Sequence, residues 1–168
     1  VEDLTPRTLP LSVIVRVLQN LLTEKVPIRQ LRRICEALLE HGPNTQDAAQ
    51  LTAAVRAALG RFIVQEINGL APELPVYTLA PPLERVLQES VSGNGAALEP
   101  GLAERMHQSL VECVKRQEAV GEPAVLLVPG PVRSLIAKLT RTGIPELYVL
   151  AYHEVPDDKK LKLVGNVG

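Results

Sequence analysis

The chain has 168 residues, a hydrophobic content of 46% and a formal net charge of -1 at pH 7. This length fits one domain or two small ones, and the apolar content is enough to bury a sizeable core. The nearly neutral charge argues against a nucleic acid as partner, because binding to phosphates requires a basic patch. With one Phe, three Tyr and no Trp, we expect the core to be aliphatic.

The apolar runs in the sequence are short. No charge-free apolar run approaches the roughly 18 residues that a membrane helix needs, so the sequence predicts a soluble chain. The first residue is Val1, and the absence of an initiator Met indicates a fragment of a longer protein. Cys35 and Cys113 lie far apart in sequence without metal-ligand spacing, so we expect both to be reduced and half-buried.

Three helical patterns follow one another in residues 1–71. The first repeats apolar residues at the i, i+3, i+4, i+7 spacing of one helix face: Leu11, Ile14, Val15, Leu18, Leu21 and Leu22. The second has Pro27 in its first turn, ends at Gly42-Pro43 and has this apolar stripe: Ile28, Leu31, Cys35, Leu38 and Leu39. The third is capped by Asp47 and repeats these residues: Leu51, Val55, Ala58, Leu59, Phe62 and Ile63. Three such stripes predict a small helical subdomain.

From Ala71 onward, short apolar runs alternate with helical patterns. The expected order is a strand at 76–79, a helix from Pro81, a loop at 92–95, a helix at 100–119, a strand at 124–128, a helix after 129–131, a strand at 147–152 and a strand near 161–167. This alternation favours a mainly parallel sheet with right-handed crossovers. The short turn before the last strand also leaves antiparallel pairing at an edge open. The sequence therefore predicts an α+β protein, with an α/β subdomain of about four strands in residues 72–168.

Residues that could support catalysis are sparse. His153 and Glu154 follow a strand of the expected sheet, and active sites of α/β folds gather at strand ends. No nucleophile elbow and no second acid accompany them, and His41 and His107 lie in other segments. The Gly-containing turns match neither of the common phosphate-binding motifs. We therefore predict no catalytic, cofactor-binding or metal-binding residues, with a small hydrolase or nucleotide-binding enzyme as the alternative.

Three arginines, Arg29, Arg32 and Arg33, lie on one side of the second helical pattern, opposite its apolar stripe. We call them the arginine surface. The simpler interpretation is a solvated helix face. The other is a protein contact, because Arg forms bidentate pairs with carboxylates and is enriched at interfaces. We therefore keep the three residues as candidates for a protein interface.

Five segments of the chain carry a family resemblance: RVLQNLLTEKVPIRQLRRICEALLEH, LTAAVRAALGRFIVQ, LEPGLAERMHQSLVECVKRQE, AVLLVP and LYVLAYHEVPDDKKLKLVGNVG. In this order they resemble the C-terminal part of the FlhA family, the export-gate proteins of the bacterial flagellar type III secretion apparatus. The likeness extends from about Leu9 to Gly168, and its most specific part is VLQNLL followed by VPIR. The chain is similar to the third and fourth subdomains of the family's cytoplasmic region.

The resemblance implies a role in protein export without catalysis. It implies a membrane domain upstream of this chain and a cytoplasmic region that forms a nonameric ring at the cytoplasmic face of the inner membrane. The implied partners are other copies of the chain, chaperone–substrate complexes and other export-apparatus proteins. No cofactor and no nucleic acid are implied, and membrane contact comes only through the upstream part. The export gate of a virulence injectisome is the alternative within the same family.

Overall fold

The computed structural model describes residues 9–93 and 100–168. The chain divides into two compact units, Val1–Glu66 and Ile67–Gly168. The first is helical and the second holds a four-stranded sheet with helices, which confirms the predicted α+β class. None of the helices in these ranges has the combined length and hydrophobicity of a membrane span. Of the loop predicted at 92–95, Asn94 and Gly95 lie outside these ranges.

Four helices replace the three predicted patterns. They are α1 (Leu11–Thr23), α2 (Leu31–His41), α3 (Ala48–Ala58) and α4 (Gly60–Asn68). Asp47 caps α3 as predicted, because its carboxylate oxygen Oδ1 accepts a hydrogen bond from the N–H of Ala49 at 2.9 Å. The third pattern breaks into α3 and α4 at Leu59, immediately before Gly60, and Gly is a weak helix former.

The buried face of α1 differs from the predicted stripe. Val17 and Leu21 are fully buried, whereas Leu11, Val15 and Leu22 are exposed by 63%, 42% and 55%. The helix packs on α3, with Val17 and Leu21 as its buried residues. The spacing predicted the helix correctly, but the inward position assigned to these three exposed residues is wrong.

Helix α2 begins later than predicted, at Leu31, so Pro27 and Ile28 lie before it. At the end of α1, Lys25 has a positive φ of 64° and the N–H of Val26 donates to the carbonyl of Leu21 at 2.9 Å. This bond closes α1 in the manner of a Schellman motif. The buried residues of α2 are Ile34, Ala37 and Leu38, and the predicted core residue Leu31 is 50% exposed.

The second unit contains a four-stranded sheet with the order β3-β2-β1-β4. Its strands are β1 (Glu73–Leu79), β2 (Ala124–Val128), β3 (Leu147–Ala151) and β4 (Lys160–Val167). All neighbouring pairs are parallel, so the antiparallel alternative for the last strand is wrong. Residues 152–159, which include a short 3-10 turn at Tyr152–Glu154, return the chain from one edge of the sheet to the other.

One face of the sheet shares its core with three helices, α5 (Pro81–Ser92), α6 (Pro100–Ala119) and α7 (Gly130–Thr140). Alternate strand residues form this face: Tyr77, Leu79, Ala124, Leu126, Val128 and Val149. Right-handed connections that pass from β1 to β2 to β3 place their helices on the same side of a sheet. All of β2 is buried, as its continuous apolar run predicts.

Strand β1 starts at Glu73, earlier than the predicted residue 76, and pairs with β4 along its whole length. It pairs with β2 only at Tyr77 and Thr78, so residues 73–76 form a two-stranded ribbon with β4. Pro75 is tolerated there because, among the described residues, no strand pairs with the other side of the ribbon. The register shifts between Val76 and Tyr77, which leaves Val164 as the extra residue of a β-bulge in β4.

Candidate protein-interaction site

The arginine surface lies on the helical unit, at the start of α2. Arg29 precedes the helix, and Arg32 and Arg33 lie in its first turn. All three are exposed to solvent. Arg32 and Arg33 are therefore part of the predicted second helix, while Arg29 lies in the connecting segment before it.

Each arginine has a partner within the same unit. Arg29 pairs with Glu66 of α4. Arg32 lies 3.4 Å from Glu36 one turn further along α2, and the Arg32 side chain is 93% exposed. The Arg33 guanidinium lies over the ring of Phe62 at 5.1 Å from its centroid. Exposed pairs of this kind are worth at most about 1 kcal/mol each, so an incoming carboxylate can compete for these cations.

A pocket of about 420 Å³ lies beside Arg29. Its apolar lining is Val26, Pro27, Leu59, Phe62 and Ile63, and its polar lining is Arg29, Gln30, Gln65 and Glu66. Val26, Leu59 and Ile63 are buried, which makes the inner wall apolar, whereas Phe62 is only half-buried. Cationic and apolar surface therefore meet at one place on the helical unit, a combination that protein interfaces use.

Sequence reasoning missed this pocket. It placed Phe62 in an inward stripe of one long helix, and the break at Leu59 turns the ring toward the segment before α2 instead. Gly60, in the middle of the third pattern, is the residue that could have indicated the break and hence the pocket, because Gly weakens a continuous helix.

The strand-end pair considered for catalysis has a structural role. Glu154 is 2% exposed, and its oxygen Oε1 accepts a hydrogen bond from the N–H of Ala151 at 2.9 Å. Its other oxygen lies 3.9 Å from the guanidinium of Arg133 in α7, whose Nη1 is 3.5 Å from the carbonyl oxygen of Val149. These contacts join α7 to the end of β3, and they occupy the carboxylate that the enzyme hypothesis would use.

The histidines do not converge on a site. His153 is exposed and its ring lies against Gly130 at the start of α7, while the ring of His107 in α6 lies against Gly143. A second, smaller cavity of about 320 Å³ borders His107 between α6 and α7, without a carboxylate cluster. Within residues 9–93 and 100–168, no three His, Cys, Asp or Glu side chains group together as metal ligands do.

The two thiols differ in exposure. Cys35 is half-buried, as predicted, but Cys113 is buried in the core of the second unit, and neither forms a disulfide. Burial raises the pKa of the Cys113 thiol and, beside it, the pKa of the Tyr77 hydroxyl, because both charged forms lose their hydration. Neither group therefore has the lowered pKa of a reactive nucleophile.

Comparison with known proteins gives a consistent family match. A model of the FHIPEP family matches residues 1–160. The flagellar biosynthesis protein FlhA of Escherichia coli strain K12 is 44% identical over 167 residues, which are 99% of this chain and 24% of that protein. The chain thus spans about a quarter of the length of this relative.

Solved structures share the fold. The Chlamydia pneumoniae CdsV protein has a TM-score of 0.89 at 27% identity, over 99% of this chain and 49% of that chain, both alone and in its complex with CdsO. Nonameric EPEC SctV-C has a TM-score of 0.79 at 29% identity, over 99% and 51%.

Proposed function

Because this chain belongs to the FHIPEP family, we propose that it is a cytoplasmic part of the flagellar type III protein export gate. There it serves ring assembly and the docking of chaperone–substrate complexes, at the cytoplasmic face of the bacterial inner membrane. The main support for this proposal is the 44% identity to a flagellar biosynthesis protein across 99% of this chain. The chain acts as a binding and assembly module, and other export-apparatus proteins are its further partners, as CdsO is for CdsV.

The second candidate is the related gate of a virulence injectisome. Solved structures such as CdsV and SctV-C share the fold, but their identities of 27% and 29% are lower than that to FlhA. The two candidates predict different partners, which are flagellar chaperone–substrate complexes for the first and injectisome complexes for the second.

Within this role, the arginine surface contacts acidic groups on a neighbouring subunit or linker. Support comes from the exposure of all three side chains, their weak internal pairs and the nonameric assembly of SctV-C. Charge reversal of Arg32→Glu with Arg33→Glu, placed in a complete cytoplasmic region, is expected to lower its oligomerisation in sedimentation velocity. Arg105→Glu with Lys115→Glu, a double reversal at exposed positions of α6, is the matched control. Unchanged oligomerisation of the double variant would remove this surface from the interface.

Docking is tested by calorimetric titration with a flagellar chaperone–substrate complex. We expect the complete cytoplasmic region to bind, and the 168-residue chain alone to bind more weakly or not at all. Equal binding by both would place the cargo site within these residues. If the complete region binds only an injectisome complex, the second candidate replaces the first.

A further inference from the structure

The outer edge of β4 is open to solvent. β4 is last in the strand order, and in the part of the chain that the structure describes no strand pairs with its outer side. It is the longest strand of the sheet, with 8 residues, and residues 160–164 are all exposed. An open edge of this length is a template for a further strand unless the sequence prevents it.

The backbone of Leu161 and Leu163 faces that open edge. The N–H of Lys160 donates to the carbonyl oxygen of Pro72, at the start of β1, over 3.1 Å. Because the backbone groups of successive residues alternate between the two sides of a strand, those of Leu161 and Leu163 point outward. Each of these residues offers one donor and one acceptor. The bulge at Val164 ends the alternation, so the open pairing segment is residues 160–163.

This segment belongs to the two-stranded ribbon formed with residues 73–76 of β1. Two-stranded ribbons are marginally stable in water, and a third strand stabilises them. Leu161 and Leu163 are also exposed by 47% and 63%, so an added strand would bury apolar surface as well as complete the hydrogen bonds. Both features favour the addition of a strand over a solvated edge.

Lys160 and Lys162 alternate with the two leucines, and their positive charges determine which charge the added strand must carry. A second copy of β4 would bring the same cations together across the pair, whereas acidic side chains opposite them are favourable. We propose that the open edge of β4 binds an extended segment of a partner protein in which acidic side chains alternate with apolar ones. The inference rests on the geometry of the second unit and is independent of the proposed export function.

The probe for this surface is a capped pentapeptide of alternating Glu and Val, added to the complete 168-residue chain. We expect it to shift the backbone amide NMR signals of residues 160–163 and to slow their hydrogen exchange. A peptide of alternating Lys and Val is the charge control. A Glu/Val peptide with N-methylated backbone is the hydrogen-bond control, and neither control should bind.

Two variants separate strand addition from simple charge attraction. Leu163→Pro removes only an outward N–H and leaves the bonds to β1 intact, so it should abolish binding, while Leu163→Ala keeps the N–H and should retain it. Lys160→Glu with Lys162→Glu should weaken the acidic peptide about tenfold and reverse the preference toward the Lys peptide. Equal binding of the N-methylated peptide, or by Leu163→Pro, would overturn the proposal. The proposal would also be overturned if the unmodified chain associated with itself and Leu163→Pro abolished that association, because the strand bound at the edge of β4 would then be a second copy of the chain.

Discussion

Removing the charge of Glu154 tests how far the buried pair with Arg133 holds α7 on β3. The two side chains are exposed by 2% and 7%, so Glu154→Gln removes the carboxylate charge beside a buried guanidinium, which keeps its contact with the carbonyl oxygen of Val149. Breaking a buried pair from one side costs about 3–5 kcal/mol. Because Gln still accepts the bond from Ala151, we expect a loss at the lower end, about 3 kcal/mol in the free energy of unfolding.

Urea unfolding followed by tyrosine fluorescence measures this loss in the second unit alone. All three tyrosines, Tyr77, Tyr148 and Tyr152, lie in Ile67–Gly168, and the chain has no Trp. The double variant Arg133→Met with Glu154→Gln removes both charges and should recover most of the loss. A coupling energy under about 0.5 kcal/mol in this double-mutant cycle would refute the reasoning, because the two charges would then act independently.

Three further predictions concern the contact between His107 and Gly143 and the two thiols. A Cβ at position 143 would overlap the far end of the half-buried His107 ring, which must turn aside, so Gly143→Ala should lower the free energy of unfolding by about 1 kcal/mol, and much less in a His107→Ala background where the ring is gone; equal losses in both backgrounds would contradict this contact. Burial raises the pKa of the Cys113 thiol, so the folded chain holds the thiol proton more tightly than the unfolded chain does. The free energy of unfolding is therefore highest below the unfolded pKa of about 8.5 and falls as the pH rises above it. The urea midpoint should therefore fall less between pH 8 and 10 in Cys113→Ala than in the unmodified chain. Because Cys35 is half-buried and Cys113 is buried, iodoacetamide should label Cys35 before Cys113.

Helices and strands could be predicted well from the sequence where a single local feature determines the structure. The all-apolar run of β2, the cap at Asp47 and the Pro81 start of α5 each have a local cause, and the structure has all three. The direction of β4 depended on how residues 152–159 cross the sheet, which no local pattern encodes.

Side-chain placement was less predictable than secondary structure. Helical spacing leaves the rotation of a wide apolar stripe open, so Val17 and Ile34 were missed as core residues while Leu11 and Leu31 were wrongly included. The arginine surface was visible as a spacing, but its contacts with Phe62 and Glu66 come from α4 and could not be read from α2 alone. Its role in an interface stays a prediction.

The pairing of β1 with β4 has a consequence for the speed of folding. Glu73 pairs with Lys160, and the pairing extends to Leu79 and Val167, so strands far apart in sequence must meet before the sheet is complete. Closing such long loops carries an entropy cost before any contact repays it, and folds rich in distant contacts reach the native state in milliseconds to seconds. The pairs β1–β2 and β2–β3 join closer segments. We therefore expect β4 to join the sheet last during folding and to leave it first during unfolding.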